Sequence, residues 1–290
     1  MRHIQSVAEM KAACREIKRS GKSLGFAPTM GALHEGHASL VRASTAKCDA
    51  TIVSIFVNPL QFGPTEDLNK YPRALERDSK LLEQLGTDVL FAPSASEMYP
   101  ADATTHVEVG ELSERLDGLS RPGHFHGVAT VVAKLFEIVR PDFAFFGQKD
   151  AAQVAVLRRM VRDLNMDVEL VVCPIVREAD GLAMSSRNAY LSAEERKQAL
   201  VLHRALRSVQ DAVASGEWNA DRLIEVGKSA IAHEPAARLD YFAIVDPNSL
   251  EPVADISRGA LVAAAAFIGT TRLIDNIVLP PDSATPIKAL

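Results

Sequence analysis

The most informative stretch of this chain is Pro28-Thr29-Met30-Gly31-Ala32-Leu33-His34-Glu35-Gly36-His37. The apolar run before it, 24–27, predicts a strand, and residues 38–43 after it predict a helix. Backbone N–H groups at such a turn have no intrahelical partner, and the helix dipole favours anions there. Glycine lets a phosphate approach the backbone, and imidazoles donate hydrogen bonds to its oxygens. The stretch predicts a phosphate-binding turn; a turn with two surface histidines is the alternative.

Strand-like and helix-like segments alternate through the first two thirds of the chain. Residues 51–57 are β-branched and almost continuously apolar, as in a parallel strand that is buried on both faces. Further strands are predicted at 88–92, 143–146 and 168–176, and helices at 75–85, 127–139 and 151–164. This alternation predicts an α/β fold with a doubly wound, Rossmann-like parallel sheet. Ligands of such folds bind beyond the carboxyl ends of the strands.

The pattern changes after Arg177. Residues 192–195, Ser-Ala-Glu-Glu, form a capping box that predicts one long helix to about Val213. Asn219 is predicted to cap a second helix that ends near Ala232, and strands are predicted at 240–245, 261–268 and 273–279. We therefore expect two domains: residues 1–177, the Rossmann-like ligand-binding domain, and residues 178–290, a smaller α+β domain that covers the active site.

Composition narrows the class of protein. The chain has 290 residues, long for a single core, and its net charge of −5 argues against a nucleic-acid-binding surface. Its three cysteines are widely spaced and show no zinc pattern, which favours a reduced, cytoplasmic compartment. The N-terminus does not resemble a signal peptide. The longest apolar run, 260–269, is shorter than the roughly 20 residues that span a bilayer, so we expect a soluble protein without membrane contact.

Three more polar clusters follow predicted strands or lie in the polar connection to the second domain. Asn58 and Gln61 lie in a Pro/Gly turn; they are either turn amides or ligands of substrate hydroxyls and carboxylates. Lys149, after Gly147 and Gln148, is either a surface lysine or a phosphate ligand.

The remaining candidates also keep two interpretations. Asp150 and Gln153 match a helix capping box, which would explain both without a ligand. Ser185 and Ser186, followed by Arg187, are either turn residues or a mobile phosphate clamp. A metal pair at His124 and His126 is disfavoured because alternate residues point to opposite faces and no third ligand is in view.

Taken together, these blocks resemble the pantothenate synthetase (pantoate–β-alanine ligase) family, within the HxGH nucleotidyltransferase group. The resemblance extends from the N-terminal segment to Leu279 and rests on five blocks in order. They are 28–37, 56–62, 121–125, 146–150 with Gln153, and 184–188. The chain departs from the family at His126, where an arginine is common, so we leave His126 out of the site.

The resemblance implies a role for each matched residue. Met30, Gly31, Ala32, Leu33, His34, Glu35, Gly36 and His37 would bind ATP, with His37 the proton donor. Gly147, Gln148, Lys149 and Asp150 would also bind ATP, Lys149 at the phosphates and Asp150 at the ribose, and Val176 would meet adenine. Met184, Ser185, Ser186 and Arg187 would form a mobile loop over the phosphates. Gln61 would contact both pantoate and β-alanine, and Gln153 would hold pantoate. Asn58, from the same turn as Gln61, is a further candidate substrate ligand.

The family further implies a reaction. Pantoate, β-alanine and ATP would give pantothenate, AMP and diphosphate through a pantoyl adenylate, with Mg²⁺ assisting and His34, His37, Lys149 and Arg187 stabilising charge. A homodimer and a gate at residues 63–77 are also implied. The alternatives are another HxGH adenylyl- or cytidylyltransferase and a nucleotide-binding regulatory module without turnover.

Overall fold

The computed structural model describes residues 1–64, 66, 68 and 70–282. It divides into two compact units, which we describe separately. The first contains the described residues of Met1–Gln148 together with Val156–Val176. The second contains Lys149–Ala155 and the described residues from Arg177 onward. The functional domain boundaries, 1–177 and 178–290, stay a prediction.

The first unit is built on a six-stranded, all-parallel sheet in the order β1-β4-β3-β2-β5-β6. Strands β2, β3 and β4 are almost wholly buried, as expected of mainly apolar strands inside a parallel sheet. The prediction of a Rossmann-like parallel α/β sheet is confirmed. The strands are β1 (Arg2–Ile4), β2 (Leu24–Thr29), β3 (Ala50–Ile55), β4 (Val89–Phe91), β5 (Phe143–Gly147) and β6 (Glu169–Cys173).

Helices alternate with these strands along the described part of the chain. They are α1 (Val7–Arg19), α2 (Glu35–Lys47), α3 (Leu75–Gln84), α4 (Ala95–Met98), α5 (Asp117–Ser120), α6 (His124–Val139) and α7 (Ala151–Asp163). Neither β1 nor α1 was predicted, although Ser6 caps α1 by accepting a hydrogen bond from the Glu9 N–H. None of the helices among the described residues combines the length and the apolar character needed to cross a bilayer.

The strand order reverses between β2 and β5, which lie side by side. From β2 the chain proceeds outward to β3 in one direction, and from β5 to β6 in the other. Ligands of open α/β sheets bind beyond the strand ends at this switch point. The predicted turn at residues 30–37 directly follows β2, and Gly147 ends β5.

The second unit contains a three-stranded antiparallel sheet in the order β7-β8-β9. Apolar residues of this sheet and its helices form one continuous core. Asn219 caps the last helix by accepting from the Arg222 N–H, as predicted. The elements are β7 (Ala237–Val245), β8 (Ala260–Ile268), β9 (Thr271–Leu279), α8 (Ala193–Gln198), α9 (Val201–Ala214) and α10 (Ala220–Ala232).

The prediction of one long helix from Ser192 to Val213 is wrong at its middle. The capping box of Ser192 and Glu195 is present, but the helix divides into α8 and α9. The Leu200 N–H bonds to the Lys197 carbonyl, three residues back, so the regular i−4 ladder is interrupted there. Neither proline nor glycine marks this break in the sequence.

Candidate active site

The turn after β2 is held in an unusual backbone conformation. Gly31 has φ +85° and Ala32 has φ +52°, both in the left-handed region. The Thr29 hydroxyl accepts from the Gly31 N–H at 3.2 Å and donates to the Ser54 carbonyl at 2.8 Å. A Cβ on Gly31 would lie 3.0 Å from Cγ2 of Ile55, so glycine fits this position for space as well as for φ.

Each of the two histidines accepts a hydrogen bond from a backbone N–H at the beginning of helix α2. Nδ1 of His34 accepts from the Gly36 N–H at 3.1 Å, and Nδ1 of His37 accepts from the His34 N–H at 3.4 Å. The two residues thus form a reciprocal capping box, with ring centroids 4.1 Å apart. Because each Nδ1 is an acceptor, the proton of each neutral ring resides on Nε2. Nε2–H is therefore the group through which either ring can donate to a ligand.

Glu35 occupies the first position of α2, where a carboxylate interacts favourably with the helix dipole. Its side chain is exposed and pairs with Arg42 on the same helix. The backbone of Glu35, rather than its side chain, is therefore the part that belongs to the turn.

The turn after β3 carries the predicted substrate amides, and both are buried. Asn58 caps a 3-10 helix, Pro59–Gln61, by accepting from the Leu60 N–H at 3.3 Å. Its Oδ1 also accepts from the Tyr99 hydroxyl at 2.8 Å. Its Nδ2 donates to Gln61 Oε1 at 3.2 Å and to the Gly127 carbonyl at 3.0 Å. Since an amide offers two donors and two acceptor sites, protein groups occupy all four.

This network orients Gln61. Because Gln61 Oε1 accepts from Asn58, the Nε2 end points the other way and lies 2.9 Å from Sδ of Met30. Gln61 therefore presents N–H beside the first residue of the histidine-bearing turn. Helix α6 approaches closely on the opposite side, where a Cβ on Gly127 would lie 2.3 Å from the Leu60 carbonyl oxygen.

A partly buried charge network contacts the same turn through the Gln61 carbonyl. Arg121 binds the Glu66 carboxylate through two nitrogens, at 2.6 and 2.7 Å, and its Nη1 lies 3.0 Å from Nε2 of His124. Because arginine can only donate, Nε2 of His124 accepts and Nδ1–H donates to the Gln61 carbonyl at 2.8 Å. The anion on Arg121 in this structure is thus the carboxylate of Glu66.

This network shifts two pKa values. Burial, aided by the Arg121 charge, lowers the pKa of His124 to about 4. Burial opposes ionisation of Glu66, but the hydrogen bonds and charge of Arg121 outweigh it and lower the Glu66 pKa. At neutral pH the network therefore holds a neutral imidazole and an ionised carboxylate.

Other predicted residues of the first unit lie at neighbouring strand ends. Gly147 ends β5, with Gln148 next, and a Cβ on Gly147 would meet only open space. Val176 follows β6, which stops at Cys173 because Pro174 has no N–H to continue the ladder. Of the predicted gate, residues 65, 67 and 69 lie outside the described residues.

The second unit contains the predicted residues Lys149 and Asp150, at the end of the 3-10 helix Gln148–Asp150, and Gln153, in the first turn of α7. The Asn276 side chain on β9 donates to the Lys149 carbonyl at 3.0 Å, which fixes this backbone. Nζ of Lys149 lies 3.6 Å from the Asp150 carboxylate. The Asp150–Gln153 capping box stays a prediction.

The predicted clamp, Met184 to Arg187, lies in the same unit. Ser185 caps a 3-10 helix, Ser186–Tyr190, by accepting from the Arg187 N–H at 3.2 Å. Asn188 fastens the segment by donating to Glu178 and to the Ala183 carbonyl, at 3.0 and 3.1 Å. All four predicted side chains are partly exposed. A hydroxyl of this loop therefore has a structural role as a cap.

The sequence did not single out three residues that contact the candidate site. Tyr99 bonds to Asn58, Glu66 bonds to Arg121, and Asp78 bonds to the Leu33 N–H. Each lies far along the chain from its partner. Among the described residues, no group of three or more His, Cys, Asp or Glu could hold a metal ion.

The sheet order and the histidine turn at its switch point define a Rossmann-like α/β protein of the HxGH type. A family model described as pantoate-beta-alanine ligase matches residues 2–278. The chain belongs to the pantoate–β-alanine ligase family.

Similar proteins agree with this assignment. The pantothenate synthetase of Acidobacterium capsulatum is 61% identical over 290 residues, covering 96% of this chain and 97% of the relative. The crystal structure of pantothenate synthetase from Thermus thermophilus has a TM-score of 0.92 at 48% identity, covering 97% of this chain and all of that one. A Francisella tularensis pantoate-beta-alanine ligase, complexed with beta-gamma ATP and beta-alanine, has a TM-score of 0.79 at 33% identity, covering 96% and 97%.

Proposed function

We propose that this chain condenses pantoate with β-alanine, using ATP, to give pantothenate, AMP and diphosphate. The observation that carries this proposal is the match of residues 2–278 to the pantoate-beta-alanine ligase model. The ATP and beta-alanine named for the Francisella tularensis relative support the same substrates here.

The turn from Met30 to His37 is our proposed site for the ATP phosphates. The N-terminus of α2 follows the turn, and the dipole of that helix favours an anion there. The Nε2–H of His34 and of His37 can each donate to a phosphate oxygen. Because both rings are locked by backbone bonds, these donors need little reorganisation when charge develops.

We assign further contacts to ATP by the family resemblance. Lys149 and Arg187 would neutralise phosphate charge, and Ser185, Ser186 and Met184 would line the nucleotide. Gly147 and Gln148 would approach ATP through their backbone, Asp150 would bind the ribose, and Val176 would meet adenine. The open space at the Gly147 Cβ position supports a backbone approach there.

Gln61 is our proposed ligand for both small substrates, and Gln153 for pantoate. The orientation of Gln61 supports this role, since its Nε2 can donate to a carboxylate or hydroxyl oxygen. Asn58 has no unused hydrogen-bonding position, so we propose that it acts on substrate through Gln61.

The reaction would proceed in two steps. A pantoate carboxylate oxygen attacks the α-phosphorus of ATP, forming an acyl–phosphate bond while the bond to diphosphate breaks. The β-alanine amine then attacks the acyl carbon, AMP leaves with the electron pair of the C–O bond, and the ammonium proton passes to solvent. Positioning and charge stabilisation suffice for both steps, because neither needs a protein nucleophile.

Magnesium would enter with the nucleotide. Mg²⁺ prefers oxygen ligands and commonly binds substrate phosphates with one or two carboxylates. Binding mainly through the substrate phosphates is compatible with the described residues, among which no three metal-binding side chains form a cluster. Mg²⁺ would neutralise charge on the phosphates.

We also propose a gate, a homodimer and a cytoplasmic location. The Glu66–Arg121 pair supports the gate, since it fastens a residue of the 63–77 segment to the base of helix α6. The dimer and the location rest on the family resemblance and on cysteine usage.

An isotope-exchange assay tests the function. Purified protein should exchange labelled diphosphate into ATP when pantoate is present, and should not need β-alanine to do so. Adding β-alanine should release AMP and pantothenate in equal amounts. Exchange without pantoate, or a stable nucleotidylated product in the presence of β-alanine, would instead support another HxGH transferase.

A further inference from the structure

Asp78 on helix α3 is a fully buried carboxylate with 0% exposure. Charged groups are seldom buried unless they are paired, because removing a charge from water is costly. Oδ1 of Asp78 accepts from the Leu33 N–H at 3.0 Å and from Arg77 Nη2 at 3.2 Å. Oδ2 is also buried and makes no hydrogen bond. Because burying this carboxylate costs desolvation free energy, we expect a contact of Asp78 outside helix α3 that explains its position.

Leu33 is held through both of its backbone polar atoms. Its N–H donates to Asp78, and its carbonyl accepts from Arg77 Nη2 at 3.1 Å. Its side chain is buried in a core cluster that also contains Leu40, Val41 and Leu82. Leu33 directly precedes His34, the cap of helix α2. Two adjacent residues of α3 therefore determine where the histidine-bearing turn enters its helix.

The turn needs such a restraint. Gly31 and Ala32 both have positive φ, which is costly for alanine and persists only where the surroundings enforce it. Oδ2 of Asp78 lies directly beneath the turn, because a Cβ on Gly31 would be 3.4 Å from it. Thr29 fastens the beginning of the turn, and Asp78 fastens its end.

We propose that Asp78, assisted by Arg77, is a positioning residue for ATP: it fixes Leu33 so that the turn holds the N–H groups and histidines in place for the phosphates. This inference rests on the proposed ATP site at residues 30–37. Asp78 acts through the turn, and Arg77 balances its negative charge close to a site for anions.

The variants Asp78→Ala and Asp78→Asn test this role by calorimetric titration with ATP and Mg²⁺. A hydrogen bond to a charged group contributes enough that we expect Asp78→Ala to weaken ATP binding by about tenfold. Asp78→Asn keeps an acceptor for the Leu33 N–H and should stay within about threefold of the unaltered protein. Exchange of the Leu33 amide hydrogen should accelerate in Asp78→Ala and not in Asp78→Asn.

Met10→Ala is the control, because Met10 is fully buried on helix α1 and lies outside the core cluster that contains Leu33. It should lower thermal stability and leave ATP affinity unchanged. Equal weakening by Met10→Ala and Asp78→Ala would overturn the positioning role. Equal weakening by Asp78→Asn and Asp78→Ala would also overturn it.

Three further variants complete the test. If Asp78→Ala does not fold, Arg77→Met tests the positioning role instead. Arg77 is largely exposed, so its replacement should not prevent folding, and it donates to the Leu33 carbonyl. A weakening of about threefold would support the proposal, and unchanged affinity would overturn it. His34→Ala separates the two hypotheses: if it weakens ATP binding and the α3 variants do not, only the role of Asp78 fails. If His34→Ala and His37→Ala also bind ATP normally, the proposed ATP site itself fails.

Discussion

The turns after β2 and β3 follow adjacent parallel strands but are built in opposite ways. The turn after β2 uses side chains to fix its backbone: Thr29, His34, His37 and Asp78 all bond to main-chain groups. The turn after β3 instead locks side chains onto each other, with Asn58 holding Gln61. One turn presents backbone and imidazole N–H, and the other presents a single oriented amide.

This difference matches what each turn would bind. A phosphate chain carries several negative charges and is met by many converging donors. A small hydroxy acid is selected by a few placed hydrogen bonds, and a site of that kind rejects ligands that leave its polar groups unpaired. Substitutions in the turn after β2 should therefore impair ATP binding and adenylation. Substitutions in the turn after β3 should impair selection of the hydroxy acid.

The largest effect is expected at His37. Removing one preorganised donor from a developing charge typically costs about 2.7–4 kcal/mol. His37→Ala should therefore lower the adenylation rate by about two to three orders of magnitude with little change in fold. Pantoate-dependent ATP–diphosphate exchange measures the rate, and circular dichroism monitors the fold. A near-normal exchange rate would remove His37 from catalysis.

The second effect concerns stability and pH. The pKa of His124 is about 4 in the folded protein, against about 6.5 when unfolded. Below pH 6.5 the unfolded chain binds the proton more readily, so stability falls as pH decreases from 6.5 to 4. The full loss is about 3 kcal/mol. Urea unfolding at several pH values should show this slope, and His124→Asn should flatten it; an unchanged slope in the variant would contradict the assignment.

A smaller effect is expected at Gln61. Gln61→Ala removes a placed donor, and we expect the KM for pantoate to rise by about tenfold or more while that for ATP changes little. Initial-rate kinetics with each substrate varied in turn measure both. If only thermal stability changed, Gln61 would be a turn amide and the contrast between the two turns would fail.

The smallest effect is expected at Glu66. Its pair with Arg121 is partly exposed, and such pairs contribute modestly to stability, about 1 kcal/mol or less. Glu66→Gln should change the KM for pantoate by only a few-fold, because the His124 bond to the Gln61 carbonyl remains. A large loss in kcat instead would indicate that the 63–77 segment takes part in the chemistry.

The parallel sheet and most of its helices could be predicted, because apolar runs and helical spacing are local signals. The contacts that give the site its shape are not local. Asp78 looks like an ordinary charge on an amphipathic helix, and only the fold shows that it is buried against Leu33. Glu66 and Arg121 lie 55 residues apart, so no local sequence pattern predicts that they form an ion pair.

The histidine motif shows the same limit within one turn. Its sequence predicts two imidazoles near an anion site, but which nitrogen carries the proton depends on the backbone bonds to Nδ1. Likewise, the break between α8 and α9 comes from a local tightening at Leu200 that no residue type signals.

Whether pantoate is activated as an adenylate can be determined by following a labelled carboxylate oxygen. Pantoate carrying ¹⁸O in its carboxylate should be converted with ATP and β-alanine, and the products analysed by mass spectrometry. Activation through an adenylate predicts one ¹⁸O in AMP for each pantothenate formed. Unlabelled AMP, or label in inorganic phosphate, would contradict the account.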